Sequence, residues 1–118
     1  MVDMDSKQNE NGSARRQLAG LSGSARRLLD YVALLESDAR YALLRHMARS
    51  PEPDMIADLR ECTDAAIIAV VEGDPNSYRF THESLRELVI QEIGEARLPK
   101  LRARADRARG RDANDGAS

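Results

Sequence analysis

Ala69 to Ile93 reads AVVEGDPNSYRFTHESLRELVIQEI, a short β-hairpin running straight into an amphipathic helix. Val70 and Val71 favour a strand, Gly73 to Ser77 supplies turn chemistry, and Tyr78-Arg79-Phe80-Thr81 alternates apolar and polar as a returning half-buried strand does. Thr81 is placed to act as an N-cap, and Leu85, Leu88, Val89 and Ile93 recur at helical spacing on one face. His82 then falls at the helix start, where backbone N–H groups lack partners and the helix dipole is positive.

Three helices are expected upstream. Ser24 is a candidate cap for a first helix with the stripe Leu28, Leu29, Val32 and Leu35, and Ser37 or Asp38 for a second carrying Leu43, Leu44 and Met47. Ser50-Pro51-Glu52-Pro53 breaks the chain. A third helix follows with Met55, Leu59, Cys62 and Ala66 in register, ending where Ile67 and Ile68 lead into the hairpin. Downstream, Gly94 is a candidate helix terminator, and Pro99 interrupts a further Arg/Ala-rich helical stretch. Leu29, Val32, Leu59, Leu88 and Val89 are the expected shared core.

This order predicts a mainly α fold of the winged-helix kind: a three-helix core, a two-stranded β-hairpin wing and a following helix, with flexible tails. The expected boundaries are a flexible polar leader over 1–23, the winged-helix domain over 24–94, a basic helical extension over 95–111 and a disordered tail over 112–118.

Composition narrows the function classes. The 118 residues make one domain at most, with 42% hydrophobic and 3% aromatic residues and a net charge of -2, so the core is built from Leu, Ala, Val and Ile. The start MVDMDSKQNENG is acidic and polar, unlike a secretory signal; Cys62 is the lone cysteine, and no stretch is apolar for long enough to span a membrane. A cytoplasmic location follows as the expectation. Arginine supplies all but two of the 18 basic residues, a bias shared by proteins from GC-rich bacterial genomes.

The residues also resemble a family: the winged-helix subdomain that follows the nucleotide-binding core in STAND-type signalling ATPases, including LuxR-type and MalT-like bacterial regulators. The matching pieces are LSGSARRLLDYVALL from Leu21, DMIADLRECTDAAII from Asp54, and VVEGDPNSYRFTHESLRELVIQEI from Val70. In that family a stretch of the form yRFtHxxlRe closes the subdomain, and its histidine approaches the terminal phosphate of bound ADP. The resemblance therefore implies phosphate or nucleotide sensing at His82, with Arg79, Phe80, Glu83 and Arg86 around it, in transcription regulation through a partner ATPase. The alternative role for His82 is a local hydrogen bond fixing the wing.

No G-x-x-x-x-G-K-[ST] occurs, and Gly20 to Ser24 lacks the lysine and spacing of a phosphate cradle, so the chain is not itself the ATPase. The terminal DNA-binding helix-turn-helix and the helical repeats of complete LuxR-type regulators are missing too. Winged-helix docking would put the third helix in the major groove, yet Asp54, Asp58, Glu61 and Asp64 stand there against Arg60 alone, and the wing adds Glu72 and Asp74 against Arg79. The basic run Arg97, Lys100, Arg102, Arg104, Arg107, Arg109 and Arg111 is the alternative contact for nucleic acid, or for an acidic face of this domain or its copy.

Catalysis and metal binding have little to work with. His46 has no ligand at i+4, and Cys62 lies on the apolar seam of its helix. The expectation is a non-enzymatic regulatory or protein-interaction module without metal or cofactor, its partner a P-loop ATPase or a second copy. The alternative is a small DNA-binding regulator that uses the basic C-terminal segment.

Overall fold

Ser22 decides where the central core helix begins. It is extended (φ -62°, ψ 159°) and its Oγ accepts from the Ala25 N–H at 3.3 Å, capping a helix over Gly23–Leu35, named α2. Ser24, two residues later than the cap, instead donates its Oγ proton to Asp58 Oδ1 at 2.8 Å. A computed structural model describes residues 12–117, with side chains described over 12–37 and 39–111.

The described chain is mainly helical, with one two-stranded antiparallel sheet. A short helix α1 over 12–19 precedes α2, and α3 (Tyr41–Ala48), α4 (Glu52–Asp64), β1 (Ile68–Val71), β2 (Asp74–Phe80), α5 (Glu83–Ile93) and α6 (Leu98–Ala117) follow. Helix α2 is the hub. Besides the predicted Leu28, Leu29, Val32 and Leu35, it buries Ala25, Asp30, Tyr31 and Ala33, because α3 and α4 cover it together with α5 and α6. The five expected core residues share one cluster with these.

Two departures lie at the ends. Ala14 and Leu18 of α1 are buried in the core, where polar composition predicts a flexible leader through residue 23; two apolar residues one turn apart suffice to dock the helix. Residues 1–11 lie outside the described residues. At the other end α6 runs on to Ala117 rather than stopping at Arg111, and buries Leu101, Ala105 and Ala108 against α2 and α3. Pro99 lies in its first turn, where its missing N–H has no intrahelical partner to lose, so it opens the helix instead of interrupting it. Ser118 lies outside the described residues.

Caps and turns differ locally from expectation for physical reasons. Glu36–Asp38 forms a 3-10 turn, and Arg40 rather than Ser37 or Asp38 precedes α3, because residues 39 and 40 are held by the return strand: Tyr78 N–H donates to Ala39 O at 2.9 Å, and extended Arg40 bridges Ser77. In α4, Met55, Leu59 and Cys62 are buried as their spacing predicts, but Ala66 is exposed beyond the helix end at φ 60°. Ile67 N–H donates to Cys62 O and Ala66 N–H to Thr63 O, the two bonds of a Schellman motif with alanine at its left-handed position.

The hairpin turn is tighter than Gly73 to Ser77. Val71 pairs with Asp74 around Glu72-Gly73, with Gly73 at φ 86°, and Val70 pairs with Tyr78. Pro75 to Ser77 therefore bulge, which tolerates the proline. Asp74 holds the bulge by accepting from Asn76 N–H and from Ser77 Oγ at 2.6 Å. Thr81 is not the α5 cap; His82 occupies that position, and Thr81 Oγ1 donates to the carbonyls of Ala66 and Ile67, tying the hairpin's exit to its entrance. Leu85, Leu88, Val89 and Ile93 are buried, and Gly94 ends α5 at φ 80°.

An L-residue at positive φ carries a conformational cost that glycine does not, so Ala66→Gly raises stability by about 1 kcal/mol, the reverse of the usual sign. Chemical denaturation of the two chains measures it. A second outcome concerns acid. Burial pushes the Asp30 carboxyl up against the opposing pull of Arg26, whereas the Ser77 and Asn76 hydrogen bonds hold Asp74 down. Asp30's stabilising contribution is thus complete below about pH 3.9 and lost as pH rises through its folded value; Asp74's is complete above about pH 3.9 and lost as pH falls through its own. Melts between pH 3 and 7 show Asp30→Asn losing an acid-side gain and Asp74→Asn losing an acid-side decline.

Candidate functional site

The hairpin, the end of α2 and the start of α5 enclose an open groove of about 710 Å³. Val32, Val71, Tyr78 and Phe80 give it apolar walls, and Glu36, Arg79, Glu83 and Arg86 give it a charged rim. Strand alternation and the two-residue turn bring the return strand over α2, while Thr81 fixes the angle at which α5 leaves. Burial, with Tyr41 nearby, pushes the Tyr78 phenol up, so it remains a hydrogen-bond donor through the neutral range.

Arg86 braces the groove. Its Nε donates to Ala33 O at 3.2 Å, its Nη2 meets Glu36 Oε1 at 2.7 Å and its Nη1 meets Glu83 Oε1 at 2.9 Å, linking the last turn of α2 to the first turn of α5. Glu36 ends α2 at φ 54°, a conformation that costs a non-glycine residue about 1–3 kcal/mol. Strained backbone thus presents the carboxylate that Arg86 holds.

Of the residues singled out by sequence, Arg79, Phe80, Glu83 and Arg86 come together on this groove. His82 is exposed at the α5 N-cap beside it, is not part of the lining, and makes no side-chain capping hydrogen bond. Val32, Glu36 and Ser37 are additions: they lie more than 40 residues upstream of the motif, and only the packing of α2 brings them there. Cys62 is buried 3.5 Å from Ala25 O, and burial, then Glu61 and Asp58, pushes its thiol up to about 12, which leaves almost no thiolate at neutral pH. Among the described residues no group of three or more His, Cys, Asp or Glu side chains is arranged to hold a metal ion.

The acidic third helix divides into two sets. Asp58 accepts from Ser24, and Glu61 Oε2 accepts the Ser22 N–H at 2.6 Å, so both pin α4 to the start of α2. Asp54 and Asp64 are exposed with Arg60, and Glu52 is engaged by Tyr41 and Arg45.

The basic run divides as well. Arg97 pairs with Asp30 at 3.6 Å, Arg104 lies 5.9 Å over the Tyr31 ring, and Arg109 donates to Leu35 O at 3.2 Å and pairs with Asp106. Lys100, Arg102, Arg107 and Arg111 are exposed. Arg102 and Arg109 border a second cleft of about 360 Å³ that shares Glu36 and Arg86 with the groove. No helix among the described residues is long and apolar enough to cross a membrane. No protein-family model, curated protein or solved structure matches the chain.

Arg86→Ala costs about 1–3 kcal/mol, mainly by leaving the half-buried Ala33 carbonyl without its charged donor. Glu83→Gln costs under about 1 kcal/mol, since that carboxylate is largely exposed. Parallel thermal melts separate the two.

Proposed function

We propose that the chain is a winged-helix interaction module that responds to the nucleotide state of a partner P-loop ATPase. The order of three core helices, hairpin and following helix supports that fold. So does the Arg40–Ser77 bridge, an extended residue between the first two core helices set against the return strand, where a winged helix carries its first short strand.

The observation that carries the function is the groove at the wing. Arg79, Phe80, Glu83 and Arg86, which surround the histidine in the STAND-type motif, line it, and His82 stands at the adjoining helix start with its imidazole free of capping. First-turn amides together with an uncommitted imidazole favour a phosphate. An exposed helix start and one side chain give too few contacts to hold a nucleotide alone, so the phosphate is presented by another protein. The α4 surface of Asp54 and Asp64 around Arg60 opposes insertion of that helix into a DNA groove, which leaves a protein partner as the better fit.

Calorimetric titration of the chain with ADP or ATP gives no binding. P-loop ATPases encoded beside it and lacking a winged helix of their own form a complex with it in ADP that weakens in ATP. His82→Ala weakens the ADP complex while the melting curve of the chain stays in place, because an exposed cap residue carries little packing. Tight nucleotide binding by the lone chain, or a complex indifferent to both nucleotide and His82→Ala, overturns the proposal.

A further inference from the structure

Independently of the wing, α3 and α6 assemble a cluster of cations that neither helix makes alone. Arg49 ends α3 in a left-handed conformation (φ 55°), and a shallow cleft beside it is lined by Arg49, His46, Arg104, Arg107, Ala108 and Arg111. No carboxylate lines that cleft among the described residues. Several arginines elsewhere are paired with carboxylates: Arg26 with Asp30, Arg45 with Glu52, Arg86 with Glu36 and Glu83, Arg97 with Asp30.

The geometry of the cluster is fixed by packing. Leu101, Ala105 and Ala108 bury the adjoining face of α6, and the Arg104 guanidinium rests over the Tyr31 ring. Residues 104, 107 and 111 recur at three and four, so they share one stripe, and at about 1.5 Å of rise per residue they cover about 10 Å of helix. One strand of duplex DNA places a phosphate about every 3.4 Å along the axis, so this stripe spans about three phosphates, with Arg49 set to one side for a fourth. Guanidinium forks match phosphate oxygens in pairs, which ammonium groups do not.

We propose that this α3–α6 surface, built on Arg49, Arg104, Arg107 and Arg111, binds the phosphate backbone of double-stranded nucleic acid without reading its sequence. It approaches the duplex through the back of the domain, leaving α4 and the wing groove for a protein partner. The basic segment acts as one wall of a rigid composite patch, since three of its arginines, Arg97, Arg104 and Arg109, are held against α2.

Fluorescence anisotropy with labelled 20-bp duplexes of two unrelated sequences tests it. Four phosphate contacts predict a slope of log affinity against log salt of about -3.6, a loss of about a hundredfold between 50 and 200 mM, equal for both sequences. Arg107→Gln with Arg111→Gln reduces the slope by about 2, and Arg49→Gln by about 1. Arg49→Gly, which relaxes the left-handed backbone, gives the same reduction and guards against a folding defect in Arg49→Gln. Arg60→Gln on α4 changes nothing. The proposal fails if the duplexes do not bind at 50 mM salt, if Arg49 substitutions leave the slope untouched, or if one sequence is strongly preferred. It fails equally if vesicles of anionic lipid bind in preference to duplex, or if low-salt sedimentation shows the surface occupied by a second copy of the chain.

Discussion

A carboxylate in the middle of the most buried helix sets the terms for this structure. Asp30 is 4% exposed, and a charge there requires a compensating partner. Arg26 supplies it at 2.6 Å from one turn below, and Arg97 reaches in at 3.6 Å from the turn before α6. Arg26 also pairs with Glu92 of α5. One acid thereby links α2, the end of α5 and the start of α6. Leaving a carboxylate of this kind unpaired costs about 3–5 kcal/mol, comparable with the whole stability of many small domains. The downstream helices are thus held by a buried ionic requirement as well as by apolar contact.

A second set of polar contacts works at the other end of α2. Ser22 caps it, Glu61 accepts the Ser22 amide and Asp58 accepts from Ser24, so the acids of α4 are spent on fixing the first turn of α2. Two of the four acids counted on that helix face inward. The surface left outside remains acidic around Arg60, and the contrast with the arginines between α3 and α6 gives the molecule two electrically different surfaces. Such segregation steers partners of opposite charge to different places.

The sequence made the helices and hairpin legible because their stripes repeat: Leu28-Leu29-Val32-Leu35 and Leu85-Leu88-Val89-Ile93 each cover about two turns. It hid what depends on distant partners. Arg40 stays extended because of a strand 37 residues later, and Thr81 serves carbonyls 14 and 15 residues earlier instead of its own helix. α1 was concealed by its composition, with only Ala14 and Leu18 to dock it. At the candidate groove, Arg79, Phe80, Glu83 and Arg86 were visible as a local motif, whereas Glu36 carried no signal, since neither its positive φ nor its contact with Arg86 is written in neighbouring residues.

Helix α6 joins two properties in one element. Ala105, Ala108 and Leu101 complete the core beside α2 and α3, and its arginines supply the charge. The smallest autonomous unit therefore extends past Ala108, well beyond the glycine at which the compositional boundary falls. Cutting the chain at Gly94 to remove charge would also uncover apolar surface, and the product would report on unfolding and aggregation instead of on electrostatics. For the same reason α6 constrains substitution unevenly: neutral exchanges on its outer stripe leave the scaffold standing, while deletions within it do not.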